Sequence, residues 1–379
     1  MSVAVALALR GQHSRPTRPE NSEPASDEGP APALAGSAEA RPLTRRTPNP
    51  APAGSGAATV TYLADTSEDP QVIEAALREV LNVYSSRSSR KLAPDAELDR
   101  VIIKRLHAPQ PSVVAAAVAA ARIPLMTAKP SDAVANAVVD MASTEGSSAR
   151  RQAALEALNL IRPDRRSPSV LSAFEQALSA NEPQLLSVAL FAIAQSGASL
   201  ATLPQVNRAN LARRVLELKD HADPGVRGRA LGVLADVEWL VPSDARYASG
   251  ERALGDAHAY VRGMAADLLF RCAEPMGIHA LVRLSADLEP ARYELRDFTE
   301  LDGRPGVLQH SVLGRPRVAE AALLAMLALS ENLADVERLN LSLTNQNTDE
   351  LVLQNAELAR NWYRANAARI PRQPKPKQE

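Results

Sequence analysis

The sequence predicts an all-α chain: an α-α superhelix of about eight helix pairs behind a disordered N-terminal segment. Three observations predict it. A phrase of the form acid-Pro-x-Val-Arg-x-x-Ala recurs through most of the chain, its sharpest copy being Asp223-Pro224-Gly225-Val226-Arg227-Gly228-Arg229-Ala230-Leu231. Apolar residues after each copy return at helical spacing, as Val226, Ala230, Leu231 and Leu234 do. Aromatic residues make up only 3% of the chain, so the core is built from Ala, Leu and Val, which suits closely packed small helices better than a β-sandwich.

The copies are anchored at Pro70, Pro111, Ser147, Pro183, Pro224, Ala259, Pro316 and Glu350, giving steps of 41, 36, 36, 41, 35, 57 and 34 residues. A repeat of that length with one short helical unit per step is the signature of a helical solenoid. Each anchor opens a helix, because Pro is tolerated in a first turn and a neighbouring Asp or Ser caps free amides. Between anchors the spacing predicts a second amphipathic helix, over Ala96 to Leu106, Asp132 to Met141, Val170 to Leu178, Leu211 to Leu218 and Leu333 to Leu343. Breakers at Ile123-Pro124, Arg162-Pro163, Val241-Pro242 and Glu274-Pro275 separate the pairs.

In chain order, residues 1–9 are a short apolar start, read as a possible remnant of a signal or anchor. It is too short to span a bilayer and has no basic residue before it. Residues 10–64 are rich in Pro, Ala and Ser and cannot bury enough surface to offset ordering entropy, so a disordered linker is expected. The solenoid runs over 65–370 and a basic tail over 371–379. The long step comes from an insertion at 289–315, where Tyr293, Leu295, Val307 and Leu308 flank the turn dipeptide Asp302-Gly303. A short hairpin or ordered loop projecting from the solenoid is expected there.

The phrase in the copies at Asp223 and Val261 resembles the HEAT and HEAT-like (phycobilin-lyase-type, armadillo-type) repeat family, and the resemblance covers roughly the solenoid region. It implies that the helix opened by the phrase lines the concave face. It also implies that acid and Arg positions form ladders between repeats, here Asp220 with Arg227 and Asp256 with Arg262. Members are mostly scaffolds or adaptors, with minorities that act on bilins, modify proteins or handle damaged DNA.

No pattern for chemistry accompanies the repeats. There is no phosphate-cradling glycine loop, no paired-His zinc helix and no nucleophile elbow, so no catalytic residue, cofactor or metal ligand is expected. The six histidines are scattered. His221 and His258 fall in inter-helix turns, where they are expected to cap helix ends. The single cysteine, Cys272, lies in an apolar helix and reads as a buried small side chain. A formal net charge of −1 argues against nucleic acid as the partner, although Arg150-Arg151, Arg165-Arg166 and Arg213-Arg214, with Arg227 and Arg229, would make a cationic strip if they shared the concave face.

The expected function is a non-enzymatic scaffold binding a protein partner of unknown identity through the concave face and the insertion. The alternatives are a nucleic-acid-binding or bilin-lyase-like or chaperone-type HEAT protein. The residues expected at the partner site are Arg262, Arg292, Tyr293, Arg296, Phe298, Arg304, His310 and Arg317, because Arg and aromatic side chains dominate binding hot spots. The location expected is cytoplasmic, or envelope-associated through an N-terminal tether.

Overall fold

A computed structural model describes residues 56–85, 95–143, 146–300, 305–311, 317–334, 336–344 and 347–372, all within one compact unit, Ala51–Glu379. Seven helix pairs follow one another: α1 (Gly56–Thr66) with α2 (Pro70–Ser85), α3 (Ala96–Leu106) with α4 (Pro111–Leu125), α5 (Asp132–Ser143) with α6 (Ser148–Asn159), and α7 (Pro168–Ala177) with α8 (Pro183–Gln195). After the single turn α9 (Gly197–Leu200) come α10 (Gln205–Leu218) with α11 (Pro224–Asp236), α12 (Ser243–Ala253) with α13 (Ala259–Cys272), and α14 (Ile278–Leu281) with α15 (Val318–Ser330). The final helix, α16 (Asp349–Asn366), packs on α15.

The second helices of the pairs form one continuous layer, α2 against α4, then α6, α8, α11, α13 and α15 in turn. The first helices stack beside them, α1 on α3, α3 on α5 and α5 on α7. One hydrophobic core runs unbroken between the layers, from Ala64 and Leu77 through Val226 and Leu231 to Val352 and Ile370. This is an α-α superhelix, a solenoid of stacked helix pairs.

Local chemistry explains where the helices start. Pro70, Pro111, Pro168, Pro183 and Pro224 each open one. The Asp223 carboxylate accepts from the Val226 amide at 2.9 Å, and His258 Nδ1 accepts from the Tyr260 amide at 3.2 Å. Helix ends are closed by arginines of neighbouring elements. Arg105 donates to the carbonyls of Ala64, Asp65 and Ser67 after α1, and Arg214 donates to that of Leu178 after α7. Such cations meet the carbonyls that a helix terminus leaves without partners.

Two expectations are corrected. The solenoid begins at Gly56 rather than 65, because Thr61 and Ala64 of α1 are buried. The stretch Leu333 to Leu343 is not a helix, so the eighth unit lacks its first helix. There Asn355 of α16 holds extended chain instead, accepting from the Ser342 amide and donating to the Ser342 carbonyl. The apolar start, the linker up to residue 55 and the tail beyond Arg372 lie outside the described residues.

The insertion is an antiparallel hairpin, β1 (Arg292–Thr299) with β2 (Pro305–Ser311), in which Tyr293 faces His310 and Leu295 faces Leu308. Pro290 bridges to Arg317, and the Val318 amide donates to the Glu289 carbonyl. The insertion therefore leaves and returns at one point, and the repeat frame continues undisturbed into α15.

Candidate functional site

The hairpin does not simply project. Strand side chains alternate between faces, and the side carrying Tyr293 and His310 is buried while Arg292 and Arg296 are exposed. Tyr293 lies on the first turn of α11, where a Cβ on Gly225 would sit 2.2 Å from its ring, and its hydroxyl donates to Asp223. One turn on, a Cβ on Gly228 would sit 2.2 Å from the ring of Tyr260, which is 0% exposed. Tyr260, Tyr293 and His310 form a triangle of rings with centroids 5.9–6.0 Å apart. Two glycines in the repeat phrase are thus the recesses that receive two aromatic rings.

The strands carry Glu300, at the hairpin's far end, to a groove on the second-helix layer between α4 and α6. The groove holds about 590 Å3. Its floor is alanine (Ala115, Ala119, Ala149, Ala153 and Ala157), and Arg122, Gln152, Glu156 and Glu300 supply its polar groups. Gln152 donates to Glu156 at 2.8 Å. Enclosure by the groove pushes the Glu156 carboxyl up and Glu300 adds to the shift, while the bond from Gln152 and the charge of Arg122 oppose it.

The residues expected at a partner site divide into three described groups, with Phe298 and Arg304 apart. Arg292 and Arg296 are on the solvent side of β1, Arg296 paired with Glu294. Tyr293 and His310 are packing residues under the hairpin, so their aromatic surface is already used. Arg262 and Arg317 are committed to internal pairs: Arg262 binds Asp287 at 2.8 Å and Glu289 at 2.9 Å, and Arg317 binds Asp349 at 2.5 Å and Glu320 at 3.5 Å. Phe298 lies in β1 with its side chain outside the described residues, and Arg304 is outside them altogether.

The ladder also differs from its expected pairing. Arg227 binds Asp256, not Asp220, with Nη2 at 2.8 Å and Nε at 2.9 Å, while its Nη1 donates to the carbonyls of His221 and Ala222. Arg262 repeats the arrangement one unit on, donating to the carbonyls of Asp256 and Ala257 and binding Asp287 rather than Asp256 through its carboxylate. Asp220 is paired with Lys219. Each arginine straps its own turn and reaches forward to the acid of the next, because it projects from the first turn of the helix stacked against that next unit. Burial pushes the Asp256 carboxyl up, but the bonds from Arg227 and the His258 amide outweigh it and hold it below the ordinary range.

The arginine pairs make no common strip. Arg150 and Arg151 lie on α6 and Arg213 and Arg214 on α10, helices of different layers. Arg213 and Arg214 share Glu217, and Arg166 is buried against the carbonyls of Ile161 and Ala192. Among the described residues, no cluster of His, Cys, Asp and Glu suits a metal ion, and no helix is long and apolar enough to cross a membrane.

Sequence reasoning missed Glu156, Gln152 and Arg122, which lie in ordinary-looking helices and become a site only when α4 and α6 stack. It also missed the pairing of Gly225 and Gly228 with aromatic rings, for which two glycines inside one helical turn were the available signal.

No family model matches the chain, and no curated protein does. Among solved structures the chain is similar to an engineered protein, at 16% identity and a TM-score of 0.41 over 58% of this chain and 97% of that one. It is also similar to a designed armadillo repeat protein solved with a (KR)4 peptide, at 16% identity and a TM-score of 0.41 over 57% of this chain and all of that one. Importin beta is similar at 13% identity and a TM-score of 0.47, over 81% of this chain and 41% of that one. None of these similarities assigns this chain a partner.

Proposed function

We propose that the protein is a non-catalytic scaffold that grips an extended segment of a protein partner along its second-helix layer. The groove between α4 and α6 carries this reading: its alanine floor leaves room for partner side chains, and the insertion contributes Glu300 to it. Two carboxylates face one guanidinium there, so the segment that fits best brings small apolar residues and a cationic side chain. A cation placed beside Glu156 offsets its unfavourable surroundings.

The reading is tested by photo-cross-linking the full chain in extract of its native host. A photoreactive residue is placed at Ala119, on the groove floor, or at Val206, which is 70% exposed on α10 of the first-helix layer. One polypeptide captured from Ala119 but not from Val206, and lost on Glu156→Lys, is the expected result. Equal capture from both positions, or salt-sensitive recovery of nucleic acid alone, would overturn it.

A further inference from the structure

Beneath the hairpin lies a cation without a carboxylate. Arg227, Arg262 and Arg317 all have acid partners, whereas Arg229 has none among the described residues. Its guanidinium stacks over Phe191 at 4.5 Å, and Nη2 contacts His310 Nδ1. Burial disfavours its charged form. An arginine held in such a place without an anion is costly to keep.

The contact with His310 fixes the identity of the atoms around it. A guanidinium only donates, so His310 Nδ1 accepts and Nε2 carries the ring proton. His310 Nε2, Arg229 Nε and Tyr260 Oη are three of the seven buried side-chain polar atoms without a partner among the described residues. Arg229 Nε and His310 Nε2 are therefore donors, the Tyr260 hydroxyl is free to donate as well, and the three come from three elements, α11, β2 and α13. The nearby carboxylate of Asp223 is already engaged by the Val226 amide and the Tyr293 hydroxyl. Three donors and one positive charge in one cluster lack a single negatively charged acceptor.

We propose that Arg229, Tyr260 and His310 bind a small free carboxylate anion, which pins the hairpin to α11 and α13. One negative charge balances the one guanidinium, and two carboxylate oxygens supply enough lone pairs for three donors. The ligand is a free molecule rather than a partner's side chain, because Tyr260 is 0% exposed and His310 6% exposed under the hairpin, where no main chain can follow.

The test titrates the full-length protein with acetate at constant ionic strength, balanced with chloride. It follows the Arg229 Nε–H resonance, assigned with Arg229→Lys, together with the melting temperature. A saturable, single-site shift with a rise in melting temperature is expected, and Tyr260→Phe should weaken acetate binding about tenfold by removing one bond to a charged acceptor. Without acetate, Tyr260→Phe should be at least as stable as the parent, since it removes an unpartnered hydroxyl. Four results would overturn the proposal: no saturable response, equal affinity in Tyr260→Phe, chloride binding as well as acetate, or a large loss of stability in acetate-free Tyr260→Phe. Equally tight binding of N-acetyl-aspartate amide would overturn its restriction to small free anions.

Discussion

Gly228 and Gly232 sit on the same helix and differ in what surrounds them. In an ordinary helix Gly→Ala is stabilising by about 1 kcal/mol. At Gly228 the new methyl meets the ring of Tyr260, which is fully buried and has nowhere to go, and overpacking of this kind costs about 1–3 kcal/mol. Gly228→Ala should therefore lower stability by about 1–2 kcal/mol in urea denaturation. At Gly232 the nearest atom is the end of Met264 at 3.0 Å, a flexible side chain, so Gly232→Ala should be neutral or stabilising. Asp267 on α13 gives the pH counterpart. Burial pushes its carboxyl up to about 6 and Asp236 adds to the shift, while Arg271, 3.8 Å away, opposes it. A raised folded-state pKa means that the folded chain keeps a proton between about pH 4 and 6 that the unfolded chain has released. Stability contributed by this group is present below pH 4, falls through that window and stays lost above it. Asp267→Asn should raise stability by about 2–3 kcal/mol at pH 7 and by almost nothing at pH 4, read from melts at the two pH values.

At the scale of elements, the helices were legible and their couplings were not. The period, the prolines and the caps located the starts of α2, α4, α8 and α11 to the residue, because those signals are local and act on the helix that carries them, whereas Pro124, expected to separate two pairs, lies inside the last turn of α4. The missing first helix of the eighth unit was illegible because Leu333 to Leu343 has helical spacing, yet Asn355 from α16 satisfies the extended backbone instead. The ladder's register was illegible for a related reason: whether an arginine reaches back or forward depends on the stacking of repeats, not on spacing within one. A double-mutant cycle separates the two registers. Arg227→Ala with Asp256→Ala should show a coupling of about 1–2 kcal/mol, and Arg227→Ala with Asp220→Ala should be additive within about 0.5 kcal/mol. The groove was the least legible element. Alanines on α4 and α6 read as core, and only the return of the hairpin across the second-helix layer brings Glu300 to them.

Over the whole molecule, each unit is stabilised by its neighbours through one continuous core. Val226 is 0% exposed at the centre of that core. Val226→Asp buries a charge with no partner and should cost at least about 4 kcal/mol. The damage should extend beyond its own unit, seen as a loss of helical circular dichroism larger than two helices and a broadened melt. The account as a whole rests on the hairpin lying back across the second-helix layer, where it walls the groove and covers the Arg229 cluster. Electron-spin distance measurement tests that placement directly, with labels at Glu300→Cys and at Leu160→Cys on the groove wall and with Cys272→Ala to remove the native thiol. A single narrow distribution at short distance is predicted; a broad distribution centred at long distance would show the hairpin projecting away from the layer and would contradict the account.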